Sequence, residues 1–134
     1  MIGAIRVLVI VEAATFLIAG ALHLGVPVPL AMTLGEPLMP QAGTPESVIG
    51  VVLVVGAVAA FLPGRGAQWV LAGTLVFAIL GTLVGIAAIG AGLGPRTDVG
   101  EVYHRVILAS LVVTLGLSAL ATRGTAPRDA PRPR

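Results

Sequence analysis

The chain consists of four long apolar blocks separated by short polar connections. The blocks cover about residues 5–24, 47–62, 68–92 and 102–122. Each is close to the roughly 20 residues that an α-helix needs to cross the hydrocarbon core of a bilayer. The pattern therefore predicts an all-α fold, an integral membrane four-helix bundle, built as one transmembrane domain over residues 1–122.

Polar residues before two of the blocks predict where helices begin. Residues 44–46 (Thr-Pro-Glu) are typical of an N-cap, a proline at the first helical position and an acid in the first turn. Residues 98–101 (Asp-Val-Gly-Glu) have the spacing of a capping box, with Asp98 as the N-cap. The connection over residues 25–44 is long and apolar, so we expect it to lie on the bundle or in the membrane interface, where it could act as a lid.

The composition excludes several classes of protein. Of the 134 residues, 57% are hydrophobic and 10% are charged, which is too few charged residues to cover a soluble globule. The absence of cysteine excludes disulfides, thiolate metal sites and thiol redox chemistry by the chain itself. The net charge is only +2, and the basic C-terminal segment has no aromatic residues between its arginines, so we expect no nucleic-acid partner.

The arginines predict the orientation of the spans. By the positive-inside rule, the side that carries more arginines faces the cytoplasm, which places both termini there. Only Arg96 and Arg105 fall on the opposite side. Residues 123–134, rich in Arg and Pro, are predicted to form a disordered cytoplasmic tail. A chain without lysine and rich in Arg, Ala, Gly and Pro fits a GC-rich bacterial genome, so the membrane is predicted to be a bacterial cytoplasmic membrane. The arginines on the predicted cytoplasmic side are Arg6, Arg65, Arg123, Arg128, Arg132 and Arg134.

Small residues recur along one face of the third block. Gly81, Gly85, Ala88 and Gly92 are spaced by four, three and four residues, which places them on one helical face. We expect this face to pack against another helix of the same chain, with contact to a second copy as the alternative. The second and fourth blocks also match at an offset of 58 residues, so a duplicated hairpin is a further hypothesis.

Glu12 is the most informative single residue of the sequence. It lies about 10 Å inside the first span, where an ionisable group is costly and normally faces the bundle interior. Residues at a similar depth on other spans are Thr74, Thr114 and Ser118, none of them cationic. Desolvation without a counter-charge favours the neutral acid. Glu12 is therefore either a neutral structural acid or a group that handles protons or a ligand.

Further ionisable residues gather at the predicted external end of the bundle, beneath the long connection. One interpretation is a ligand pocket at that end, with Glu12 below it. The alternative is that each residue has a local structural role. Glu46 and Glu101 would complement helix N-termini, and His23 would lie in the last turn of the first helix, where the helix dipole favours a proton. Arg105 would form a helical ion pair with Glu101. Tyr103 is predicted to be an interface anchor. The candidate ligand-binding residues are Glu12, His23, Glu46, Glu101, His104 and Arg105.

No motif identifies a cofactor. His23 and His104 are the only two histidines, and two imidazoles at one level of a four-helix bundle could supply the axial ligands of a haem. The same histidines with Glu46 or Glu101 have the ligand types of a zinc site, but no supporting spacing. The cofactor therefore stays unknown, and no metal site is predicted.

Part of the chain resembles DoxX-like membrane proteins. The resemblance lies in residues 46–81, where an acid opens a span that contains Gly50 and Gly56 and a Pro-Gly-Arg turn follows. Residues 16–23 (Phe-Leu-Ile-Ala-Gly-Ala-Leu-His) look like the first span of that group, so the similarity covers roughly residues 1–90. It implies a small four-helix bundle, in a group where some members are membrane subunits linked to thiosulfate–quinone or other redox assemblies.

The sequence contains no complete catalytic motif. The leading hypothesis is therefore a non-catalytic accessory or binding subunit of a bacterial membrane assembly, with a redox-linked assembly as one option. The lipid bilayer is then the main partner, with another membrane subunit or a second copy beside it. One alternative is a protein that binds a quinone, lipid, metal or haem at the external end. Another is a proton-coupled transporter component that uses Glu12.

Overall fold

The structure is a computed structural model that describes residues 1–27 and 38–123. All regular secondary structure in these two ranges is helical, which confirms the predicted all-α class. Residues 28–37, which are half of the predicted lid, and the predicted tail after Arg123 lie outside the described residues. The four helices are α1 (Ile2–His23), α2 (Pro40–Ala59), α3 (Arg65–Gly90) and α4 (Asp98–Arg123).

All four helices are long and apolar enough to cross a membrane. Only 22–39% of the most apolar stretch of each helix is buried inside the bundle. Large apolar side chains such as Val7, Val84 and Val106 face outward instead. Because water would make such a surface unfavourable, the fold suits a multi-pass membrane protein.

The helices form a closed ring in which each packs against the next and α4 packs against α1. Neighbouring helices run antiparallel, since Gly20 near the end of α1 lies against Ser47 near the start of α2. Both ends of the described chain therefore lie at the same end of the bundle. We call this end of the bundle the arginine end, and it also contains the turn at residues 60–64. The opposite end, which contains residues 91–97, is called the histidine end.

The backbones of α1 and α2 touch through glycines. A Cβ atom at Gly20 would lie 2.8 Å from the backbone nitrogen of Ser47 and 3.0 Å from the carbonyl oxygen of Gly43. A Cβ atom at Gly50 would likewise lie 2.8 Å from the side chain of Leu17. Such close approach is typical of packing between membrane helices, where small residues allow extensive van der Waals contact.

The small-residue face of α3 packs partly within the chain, as expected. Gly81 lies against Ile49 of α2, and Gly85 lies beside His104 of α4. Gly92 was wrongly included in this face, because α3 ends at Gly90 and Gly92 belongs to the following turn with φ of 80°. Glycine suits that position because a left-handed backbone is strained for residues with a Cβ atom.

The predicted start of α2 is wrong. The helix begins at Pro40, with Met39 as its N-cap, and Pro45 lies inside it. Thr44 does not cap the helix, because its hydroxyl donates to the carbonyl oxygen of Pro40. Pro40 and Pro45 both precede an apolar run, so either could begin the helix. Pro40 does so, because the first helical position does not need a backbone N–H. Glu46 therefore lies in the second turn and points into the bundle.

The predicted cap of α4 is displaced by one residue. The hydroxyl of Thr97, not the carboxylate of Asp98, accepts a hydrogen bond from the backbone N–H of Gly100, at 3.0 Å. The carbonyl oxygen of Thr97 accepts the first helical bond from Glu101. Threonine and aspartate are both good N-caps, so two adjacent candidates left the boundary uncertain by one position.

Candidate functional site

Glu12 lies at the middle of α1 and is buried, with 1% of its surface exposed. Two hydroxyl groups of α4 donate to the same carboxyl oxygen. Ser110 Oγ lies 2.6 Å and Thr114 Oγ1 lies 2.7 Å from Glu12 Oε1. We call these three residues the Glu12 cluster.

Helical spacing brings the Glu12 cluster together. Ser110 and Thr114 are four residues apart and share one face of α4. Glu12 shares a face of α1 with Val9 and Phe16, both of them buried. The Glu12 cluster therefore lies between buried apolar side chains. Its hydrogen bonds are stronger in such surroundings, because water does not compete for them.

The second carboxyl oxygen, Oε2, is buried and has no hydrogen-bond partner among the described residues. No described ion pair includes Glu12 either. The arginine of α1 is Arg6, whose Nε donates to the carbonyl oxygen of Ala60. Its guanidinium lies 4.6 Å from the ring centre of Phe61. Arg6 therefore belongs to the arginine end and not to the Glu12 cluster.

The expected hydroxyl partners of Glu12 were partly right. Thr114 is confirmed. Thr74 and Ser118 instead donate to carbonyl oxygens of their own helices, at Leu71 and Leu115. Ser110 was missed, although its position one turn before Thr114 on the same face is a signal that points to it.

His23 and Glu46 form the second polar contact of the interior. His23 Nδ1 lies 2.6 Å from Glu46 Oε2, and the two side chains are 11% and 9% exposed. This contact joins α1 to α2 at the histidine end. The expectation that Glu46 complements a helix N-terminus is wrong, since α2 begins six residues earlier.

Tyr103 faces the bundle interior, whereas the sequence predicted an interface anchor. Its ring meets Phe16 edge-on at 6.3 Å between centroids and meets His104 at 5.1 Å. Its hydroxyl is buried and has no hydrogen-bond partner in the described part of the chain. Tyr103 is therefore a candidate site residue that the sequence interpretation missed.

The remaining candidates line a groove between the end of α3 and the start of α4. His104 Nδ1 donates to the carbonyl oxygen of Gly100 at 2.7 Å, so Nε2 is left facing α3 beside Gly85. The predicted ion pair is confirmed, with Arg105 Nη2 2.9 Å from Glu101 Oε2. The groove has a volume of about 140 Å³ and is lined by Ile86, Ile89, Gly90, Arg96, Glu101, His104 and Arg105.

The six predicted site residues are thus divided among three places. Glu12 lies mid-bundle, His23 and Glu46 lie between α1 and α2, and the other three lie at the α3–α4 groove. The two histidines belong to different helix interfaces, which does not favour a shared haem. Within residues 1–27 and 38–123, no three acidic or histidine side chains are grouped to hold a metal, so the considered zinc set is not assembled.

Fold and interior together show a four-helix bundle with four candidate membrane spans and a buried acid at mid-bundle. Comparisons of the chain with protein-family models, with curated proteins and with solved structures found no match. The DoxX-like resemblance therefore stays a prediction.

Proposed function

We propose that the protein is a proton-coupled component of a membrane transport system, in which Glu12 takes up and releases a proton inside the bundle. The observation that carries this proposal is the buried Glu12 carboxyl group, with two hydroxyls at one oxygen and no partner among the described residues at the other. An intramembrane acid is expensive, and such residues commonly mark ion or proton pathways.

The Glu12 cluster accommodates both protonation states of the acid. As a carboxylate, Glu12 Oε1 accepts hydrogen bonds from Ser110 and Thr114. As a neutral acid, it can donate to Thr114 Oγ1, because the threonine hydroxyl then donates to the carbonyl oxygen of Ser110, 3.0 Å away. Only hydrogen atoms have to move. A purely structural role does not require this reversibility, since a leucine would fill the same space at lower cost.

Infrared spectroscopy of the purified protein in lipid vesicles tests the proposal. Between alkaline and acidic pH, the native protein should gain a carbonyl-stretch band of a buried carboxylic acid, and Glu12→Gln should lack that band. Proton flux driven by a pH gradient, followed with a dye inside the vesicles, should fall to the level of empty vesicles in the same variant. Asp98→Asn is the matched control, because it removes an exposed acid at the start of α4.

A native protein without a titrating buried-acid band, or with unchanged proton flux in Glu12→Gln, would contradict the proposal. Glu12→Leu separates function from folding. It should remain folded and at least as stable as the native protein, since it removes a buried polar group without leaving a large cavity.

A second candidate function is binding of a small molecule at the histidine end. The specific observation in its favour is the α3–α4 groove, which is lined by His104, by three charged side chains and by two isoleucines. Native mass spectrometry and an absorption spectrum of the detergent-purified protein would detect a bound lipid or cofactor. Its loss in His104→Ala would support this function, whereas a bound molecule that is unaffected by His104→Ala would reject it.

An accessory place in a bacterial cytoplasmic-membrane assembly remains part of the proposal. The outward apolar side chains of all four helices would fit either lipid or a partner subunit. Co-purification of one membrane protein at a fixed ratio in mild detergent supports such an assembly. A chain that purifies alone from native membranes contradicts it.

A further inference from the structure

The Glu12 cluster offers more oxygen atoms than one proton needs. We propose that it also binds a small monovalent cation, Na⁺, in competition with the proton. This inference rests on the proposed function, because both ions would occupy the same carboxyl group.

The donor set suits a hard cation. Glu12 Oε1, the hydroxyl oxygens of Ser110 and Thr114, and the carbonyl oxygen of Ser110 belong to one hydrogen-bonded group, and Oε2 is the second oxygen of the same carboxyl group. Carboxylate, hydroxyl and carbonyl oxygens are the ligands that hard cations prefer. The two hydroxyls can turn their lone pairs toward a cation, since Thr114 has the carbonyl oxygen of Ser110 as an alternative acceptor and a helical serine can donate to the carbonyl one turn earlier.

Glu12 Oε2 is the second, independent observation. The side chain that carries it is buried, and the atom has no hydrogen-bond partner among the described residues. A buried carboxylate oxygen without a partner costs free energy, and a bound cation would recover it. The ligand is therefore expected on the Oε2 side of the cluster.

The surrounding charges favour a monovalent ion. From α4, the groups that face Glu12 are the neutral hydroxyls of Ser110 and Thr114. From α2, the only titratable residue is Glu46, which pairs with His23 at the histidine end. One carboxylate is thus balanced by one positive charge, whereas a divalent ion would leave an uncompensated charge in the apolar interior.

Labelling with an apolar carbodiimide tests the inference in the native protein. Such reagents modify a protonated carboxyl group inside a membrane protein, so Glu12 should react at acidic pH and the modification can be located by mass spectrometry. Na⁺ should slow the reaction at constant ionic strength by about tenfold, as expected when a charged group gains strong ligands. K⁺ or choline at the same concentration should not.

Matched variants assign the cation to this cluster. Thr114→Val keeps the shape of the side chain but removes one oxygen, so labelling should persist while protection by Na⁺ falls about tenfold. Ser110→Ala should act in the same direction. Thr82→Val is the control, because the Thr82 hydroxyl is equally buried but bonds only within α3 to Ala78.

The two proposals fail in different ways. If Glu12 is labelled in a pH-dependent manner and Na⁺ has no more effect than K⁺, the cation site is refuted while proton binding stands. If Glu12 is not labelled at any pH and shows no titrating infrared band, the proposed function fails and the cation site fails with it. The result for the native protein decides the matter even if a variant does not fold.

Discussion

His23 Nδ1 lies 2.6 Å from Glu46 Oε2, and this contact holds the last turn of α1 against the second turn of α2. Because both side chains are nearly buried, removing one partner leaves the other in an apolar environment. The contact is therefore expected to matter far more for stability than the exposed ion pairs of the histidine end.

Glu46→Leu should lower the free energy of unfolding by about 1–3 kcal/mol, because it leaves His23 without its carboxylate partner. Thermal or denaturant unfolding in detergent measures the change. Arg105→Gln is the control, since its side chain is 77% exposed, and it should change stability by less than about 1 kcal/mol. Equal effects of the two substitutions would contradict this account.

Gly20→Ala should destabilise the protein by about 1–3 kcal/mol through overpacking between α1 and α2. The added methyl group would lie 2.8 Å from the backbone nitrogen of Ser47, which cannot move without shifting α2. Gly73→Ala is the matched control on α3, because its Cβ atom would meet nothing within 4 Å. That variant should be neutral or more stable by up to ~1 kcal/mol, as alanine favours helices. A neutral Gly20→Ala would show that the helices do not touch there.

Tyr103→Phe should raise the free energy of unfolding by about 1 kcal/mol, since it removes a buried hydroxyl that has no hydrogen-bond partner among the described residues. The phenylalanine ring keeps the edge-on contact with Phe16. The same unfolding measurement gives the sign of the change. A loss of stability would instead indicate that the hydroxyl has a partner in the membrane-embedded protein.

Single-cysteine labelling tests the orientation, and the native chain contains no cysteine to interfere. Leu93→Cys lies at the exposed histidine end, and Gly66→Cys lies at the arginine end. In intact bacterial cells, a membrane-impermeant maleimide should label Leu93→Cys directly and Gly66→Cys only after permeabilisation. The reverse pattern would show that the positive-inside prediction is wrong.

The number and type of the elements could be predicted because a bilayer imposes a minimum length on apolar helices. The first residues of the helices were harder to predict from the sequence. Two prolines near the start of α2 and two capping residues near the start of α4 gave competing boundaries, and only the packing of Glu46 and the bond to Thr97 decide between them.

The sequence predicted the level of each candidate residue along the bundle, but not the direction in which its side chain points. Thr114 was found because it lies at the level of Glu12, and His23 and Glu46 were both placed at the histidine end. Their pairing could not be predicted, since helices that are apolar on all sides carry little signal for rotation about their axes. Tyr103 was misplaced for the same reason, because its depth fits the membrane interface while its face points inward.

The partners of Glu12 stand 98 and 102 residues later in the chain. During synthesis, α1 therefore enters the bilayer with an acid that has to wait for the last helix before its hydrogen bonds can form. A chain that lacks α4 would have neither of these donors, so the carboxyl group of α1 would stay without them. Docking of α4 onto α1, the contact that closes the ring, thus also completes the solvation of the interior acid.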